Sequence, residues 1–204
     1  MPGRCPSCDL PCFIRPLERA LYLQGELRKR QEKETASGGP PFDLRQLPNF
    51  SAVLEDIRSL WNVGSIFRSS DAAGFQRLFL CGITGCPPRK EIAKTSLGAE
   101  ESVAWSFHTG TLEVLPSLQE AGALIVALES SPSSEPLKQA LCDGKLRAPL
   151  CLVVGNEVSG LSPETLSICD LICHLPMRGI KESLNVAVAF GIAAYMIAHD
   201  MPDA

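Results

Sequence analysis

The residues best placed to do chemistry lie in the last third of the 204-residue chain. Leu152-Val153-Val154 is a short apolar run that breaks at Gly155 into a polar turn, Asn156-Glu157-Val158-Ser159-Gly160, carrying one acid. A second run, Leu171 to Leu175, breaks at Pro176 into another turn, Met177-Arg178-Gly179, which opens through Ser183, Leu184 and Asn185 into a long apolar stretch. Two strands therefore end side by side in two turns, with a helix N-terminus beside them. In an open α/β sheet a ligand binds at such a place. Ser162-Pro163-Glu164 reads as an N-cap, a first-turn proline and an acid at the positive helix end. Ser183 is placed to cap Leu184–Ala198, a run too short, and too interrupted by Asn185 and Gly191, to cross a membrane. Taken singly, Gly155 and Gly160 are turn glycines and Asn185 is a capping residue; together they point to a binding site.

The elements that must position these turns alternate. Strands are predicted over Phe50–Ile57, Leu78–Cys81, Val103–Trp105, Ala123–Leu128, Leu150–Val154 and Leu171–Leu175. Helices are predicted over Asn62–Ala73, Glu91–Ala99, Leu112–Glu120, Glu135–Leu141, Pro163–Ser167 and Leu184–Ala198. Strands alternating with helices mean an α/β fold with a mostly parallel sheet flanked by helices. No Gly-x-Gly-x-x-Gly follows the first strand, which disfavours an ordinary dinucleotide fold. The chain also lacks a phosphate-binding P-loop, the metalloprotease pattern H-E-x-x-H and the hydrolase pattern G-x-S-x-G.

Composition suits one domain with a real core: 45% of residues are hydrophobic. No signal-peptide pattern opens the chain. The nine cysteines are scattered, and Cys81, Cys151, Cys169 and Cys173 sit in or beside apolar runs, as buried free thiols do in a reducing cytoplasm. Net charge is −4, with +2 over residues 1–48 and −6 over the remainder. Any nucleic-acid surface must then be a local patch, because the global field repels a polyanion. Near the N-terminus, Cys5, Cys8 and Cys12 form a C-x2-C-x3-C cluster. This reads either as three zinc thiolates awaiting a fourth ligand or as a loosely packed terminus. Leu17–Glu34 reads as a helix ending in Arg28, Lys29, Arg30 and Lys33. Those cations would touch phosphates or simply suit the negative end of the helix dipole. Ala36–Pro41 is a linker, so the chain divides into an N-terminal segment, 1–46, and a domain, 47–204.

The segments G-N-E-x-x-G-L at 155–161, L-P-M-x-G at 175–179 and S-L-N-V-A-V-A at 183–189 resemble motifs two and three of the SpoU (TrmH-like) RNA 2′-O-ribose methyltransferases, within the SPOUT superfamily. Motif one of that family, N-x-G-x-x-x-R, has its counterpart in Asn62-Val63-Gly64-Ser65-Ile66-Phe67-Arg68. Lys94-Thr95-Ser96-Leu97-Gly98-Ala99 is similar to a further family stretch. Three motifs in order make a strong signal where one would be weak. The resemblance implies a C-terminal trefoil knot, a homodimer formed through the last helix, and a cytoplasmic enzyme. It implies transfer of a methyl group from S-adenosyl-L-methionine to a ribose 2′-hydroxyl of tRNA or rRNA. By the same resemblance Leu128, Gly155, Leu175, Met177, Ser183 and Leu184 hold the cofactor, with Gly155 where backbone meets ligand. Arg68 is the catalytic arginine on a helix facing the two turns, acting as base or as anchor for phosphate and hydroxyl. Glu157 orients Arg68 or holds the motif-two turn, and Asn62, Ser183 and Asn185 complete the pocket. Two alternatives stand beside this reading: an RNA base methyltransferase of the same superfamily, and a catalytically silent RNA-binding protein.

Overall fold

Runs of leucine, valine and isoleucine too short for helices become strands when both of their faces can be covered. In the computed structural model, which describes residues 43–201, seven such strands form one sheet: β1 (Phe50–Glu55), β2 (Arg77–Cys81), β3 (Ala104–His108), β4 (Leu124–Leu128), β5 (Glu135–Pro136), β6 (Leu150–Val154) and β7 (Leu171–His174). Their order is β3-β2-β1-β6-β4-β7-β5, and each neighbouring pair is parallel. Successive residues feed opposite faces: Ala52 and Leu54 join one core cluster, and Val53 between them joins the other. The cysteine cluster at Cys5, Cys8 and Cys12, the basic helix and the linker lie outside the described residues.

The helices are α1 (Leu60–Ala73), α2 (Lys90–Ser96), α3 (Ala99–Ser102), α4 (Leu115–Glu120), α5 (Leu137–Cys142), α6 (Pro163–Ile168) and α7 (Val186–Asp200). Ser59 caps α1, its Oγ accepting the Asn62 amide at 3.4 Å, and Gly74 ends the helix in the left-handed region at φ 73°. Ser162 caps α6 as anticipated, accepting the Thr165 amide at 3.2 Å. The helix anticipated over Glu91–Ala99 is two pieces, because Leu97 (φ 52°) and Gly98 (φ 95°) turn left-handed between α2 and α3. Glu135 and Pro136 pair with Cys173 and His174 instead of starting a helix. A two-residue edge strand leaves no periodicity to read, and a proline is tolerated at an edge.

The last helix also begins later than anticipated. Its cap is Asn185, whose Oδ1 accepts the amides of Ala187 (3.0 Å) and Val188 (3.3 Å); Ser183 lies two residues outside. From β7 the chain returns so that α7 packs on α1. Phe190 is fully buried and meets Phe75 edge-on, with ring centroids 5.6 Å apart. Among the described residues no helix is long and apolar enough to cross a membrane.

Candidate functional site

The loops at the carboxyl ends of β1, β2 and β6 are tied together through backbone groups. Asp56, left-handed at φ 57°, turns the chain out of β1, and its Oδ1 accepts the Ile83 amide at 3.0 Å. Thr84 Oγ1 accepts the Ile57 amide at 2.9 Å and donates to the Leu54 carbonyl at 2.9 Å. Asn156 Nδ2 donates to the Asp56 carbonyl at 2.7 Å, while its Oδ1 accepts the amides of Val158 (2.9 Å) and Ser159 (3.1 Å). Asn156 therefore shapes the turn and fastens it to β1.

Glu157 projects from that turn onto the start of α1. Its Oε2 accepts the Arg58 amide at 3.0 Å; its Oε1 accepts the Ser59 amide at 3.1 Å and Asn62 Nδ2 at 2.9 Å. Asn185 Nδ2 in turn donates to Asn62 Oδ1 at 3.1 Å. The direction of this relay is determined. Asn185 presents its oxygen to the α7 amides, so its NH2 faces Asn62, and the Asn62 NH2 faces the carboxylate. Partial burial pushes the Glu157 pKa up, but the hydrogen bonds from Arg58, Asn62 and Ser59 outweigh it and hold the group below its ordinary value.

Beside the relay, at the carboxyl ends of β4, β6 and β7, lies a cleft of about 380 Å³. Leu128, Gly155, Leu175, Met177, Ser183 and Leu184 all line it, and so do Glu157 and Asn185. The size falls in the small-molecule range. Met177 and Leu184 keep 36% and 37% of their surface exposed, leaving apolar area for a ligand to cover.

Gly155 lines the cleft and is also required by the turn itself. A Cβ there would stand 2.5 Å from the Gly160 carbonyl carbon and 2.5 Å from the Leu161 nitrogen. The turn folds back on itself at that point, so a larger residue would open the turn.

Arg68 is not in the cleft. It is exposed, lies outside the lining set, and makes no hydrogen bond or ion pair among the described residues. The helix explains this: six residues beyond Asn62 is about 120° round the axis and about 9 Å along it. Neither Glu157 nor any other described acid orients it. Ser183 lines the cleft and makes no hydrogen bond among the described residues.

The lining also includes residues that the motifs do not single out, among them Glu129 and His174. Glu129 directly follows β4, and its Oε2 accepts the Leu161 amide at 3.0 Å, holding the far side of the turn. His174 ends β7 and shares a hydrogen bond of 2.9 Å with Ser134 Oγ. An acid directly after one apolar strand and a histidine closing another were the available signals.

The buried thiols serve packing. Cys81, Cys151 and Cys173 are buried, and burial pushes the thiol pKa of Cys151, Cys169 and Cys173 up to about 12. At neutral pH such groups hold their protons and are unreactive. Among the described residues no three His, Cys, Asp or Glu side chains converge as a metal site.

The SpoU rRNA Methylase family model matches residues 49–195. The chain is 29% identical over 157 residues to the 23S rRNA (guanosine-2′-O-)-methyltransferase RlmB of Ralstonia nicotianae, covering 77% of this chain and 58% of that one. It is 33% identical to the human mitochondrial rRNA methyltransferase 1, covering 95% of this chain and 57% of that one. Among solved structures, the AdoMet-bound rRNA methyltransferase of Sinorhizobium meliloti superposes with a TM-score of 0.69 at 28% identity, over 78% of this chain and 60% of that one. The chain thus spans less than two thirds of the length of these relatives.

Proposed function

Because the chain belongs to the SpoU rRNA Methylase family, we propose that its domain, residues 47–204, transfers a methyl group from S-adenosyl-L-methionine to a ribose 2′-hydroxyl of tRNA or rRNA. One observation carries this reading. The cleft anticipated for the cofactor adjoins an oriented relay, Glu157–Asn62–Asn185, at the rim where a second substrate can enter. S-adenosylmethionine, when bound, supplies an electrophilic methyl carbon. Leu128, Leu175, Met177 and Leu184 would hold its apolar parts, while Glu129 keeps the Gly160–Leu161 side of the turn in place.

The chain's own polar groups then have distinct duties. A carboxylate held below its ordinary pKa is a weak proton acceptor, so Glu157 serves as a positioning group that fixes Asn62 and the start of α1. Asn185 caps α7 and orients Asn62, joining the two turns. Ser183 stands on the rim within reach of an incoming hydroxyl. Arg68 has no partner among the described residues. Its planar guanidinium suits an RNA phosphate beside the reacting ribose, steering the hydroxyl by charge and hydrogen bonds.

The relatives named for ribosomal RNA favour rRNA as the substrate. A homodimer is supported by Val188, Ile192 and Tyr195, which leave 50%, 42% and 60% of their surfaces open along one face of α7. The C-terminal trefoil knot that the family resemblance implies is compatible with the packing of α7 on α1 after β7. Unreactive buried thiols suit a reducing cytoplasm.

The test is methyl transfer from labelled S-adenosylmethionine to total tRNA and to rRNA, with modified positions mapped by resistance of the adjoining phosphodiester to alkali. Alkali-resistant label in either RNA is expected. Label confined to the bases would instead make this a base methyltransferase, and absence of cofactor binding would overturn the assignment.

A further inference from the structure

Trp61 stands outside the relay, one residue before Asn62, with 49% of its surface exposed. It is held in that position by α2. Thr95 Oγ1 donates to the Trp61 carbonyl at 3.0 Å, and Lys94 Nζ lies 5.4 Å from the ring centroid. Half of the indole therefore stays open even with an ammonium group over it. Arg68 follows seven residues later on the same face of α1, two turns along the axis, and Arg58 precedes by three residues; both are exposed.

An exposed indole set among cations has the chemistry of a single-stranded nucleic-acid contact: a ring on which any base can stack, with positive groups for the phosphates on either side. Two further observations favour an RNA over a protein partner here. The net charge of −6 over residues 49–204 prevents the general field from supplying affinity, so an RNA-binding surface must lean on stacking. The exposed apolar face of α7, by contrast, offers contact area with no cation among Val188, Ile192 and Tyr195, and a protein partner suits that face better.

We propose that Trp61 and Lys94, with Arg68 beyond them, form a platform on which an unpaired base next to the methylated nucleotide stacks. This rests on reading the adjoining cleft as the methyl-transfer site. It also implies an unpaired target region, since bases inside a duplex do not offer their faces.

The experiment uses the full chain and two probes: S-adenosylmethionine by calorimetry, and a fluorescein-labelled single-stranded 12-nucleotide RNA of mixed sequence by anisotropy. Trp61→Ala should weaken RNA binding about fivefold or more while Trp61→Phe retains most of it. Lys94→Gln should give a smaller loss and a shallower salt dependence. Cofactor affinity and melting temperature should stay at their original values in all three. The chain has two tryptophans, so in a Trp105→Phe background RNA should quench the emission of Trp61 directly. Unchanged RNA affinity in Trp61→Ala, together with absent quenching, would overturn the platform. A fall in molecular mass in Trp61→Ala would also overturn it, by making the indole a subunit contact. Failure of the wild type to bind S-adenosylmethionine would remove the methyltransferase reading instead, and the quenching result would still decide the platform.

Discussion

Glu157 accepts hydrogen bonds from two backbone amides and one side-chain amide, and each of the three favours its charged form over the neutral acid. Because its folded pKa lies below the unfolded one, the stabilisation is fully present above the ordinary glutamate pKa and is lost as pH falls through the folded value. Wild type should thus lose its stability advantage over Glu157→Gln as pH falls from the ordinary glutamate pKa through the lower folded one, as compared by urea midpoints. An advantage that grew with acidity would contradict this account. Arg68 calls for the opposite pattern. With no partner among the described residues, Arg68→Ala should leave melting temperature and cofactor affinity unchanged and abolish methyl transfer. Arg68→Lys, keeping the charge but losing the fork, should also fail badly. A clear drop in melting temperature would instead make it structural. The sequence displayed the identities of Asn62, Glu157, Asn185 and the cleft-lining residues through their turns and motifs. It did not display the relay, because which amide faces which carboxylate depends on how two turns and two helix ends meet in space. The position of Arg68 was partly legible: its spacing from Asn62 already carried the 120° offset.

Between elements, the contact that places the site is the crossing of α1 and α2. Gly64 lies buried at that crossing, and a Cβ there would collide with Thr95 Oγ1 and with the Ile92 carbonyl, a backbone atom that cannot simply rotate away. Gly64→Ala should accordingly destabilise the fold by about 1–3 kcal/mol despite the better helix propensity of alanine, as read from chemical denaturation. A stabilised Gly64→Ala would mean that α2 shifts freely and does not fix Trp61. The glycine of motif one is thus explained by helix packing, just as Gly155 is explained by closure of its own turn. The alternating pattern revealed six of the seven strands and most helix positions, because long apolar runs and capping triplets such as Ser162-Pro163-Glu164 are local signals. The elements it misplaced are governed by non-local ones. The break at Leu97-Gly98 is set by how α2 and α3 pack. The start of α7 follows the cap that Asn185 makes while it also holds Asn62.

For the whole molecule, the decisive feature is that α7 is apolar on two sides. Ala187, Phe190, Ala193, Ala194 and Ile197 face inward and are buried, whereas Val188, Ile192 and Tyr195 form a stripe on the other side at a helical spacing of four and three residues. Ser69 and Ala72 of α1, with Gly191, lie beside Ile192 and Tyr195 and floor a shallow apolar groove between the two helices. A stripe of this kind, beside small residues that allow close approach, suits a self-complementary two-fold contact, in which each copy places its α7 on the other's groove. The chain should accordingly run in solution at twice its 22.0 kDa mass by light scattering at micromolar concentration. Ile192→Asp would put an unpaired carboxylate at the centre of that contact. The side chain already faces water in the single chain, so the variant should fold with little change in secondary structure and shift to the monomeric mass. If catalysis needs both copies, methyl transfer should fall in parallel with dimer content as the protein is diluted. A wild type that is monomeric at these concentrations, or an Ile192→Asp variant that stays dimeric, would place the interface elsewhere or remove it.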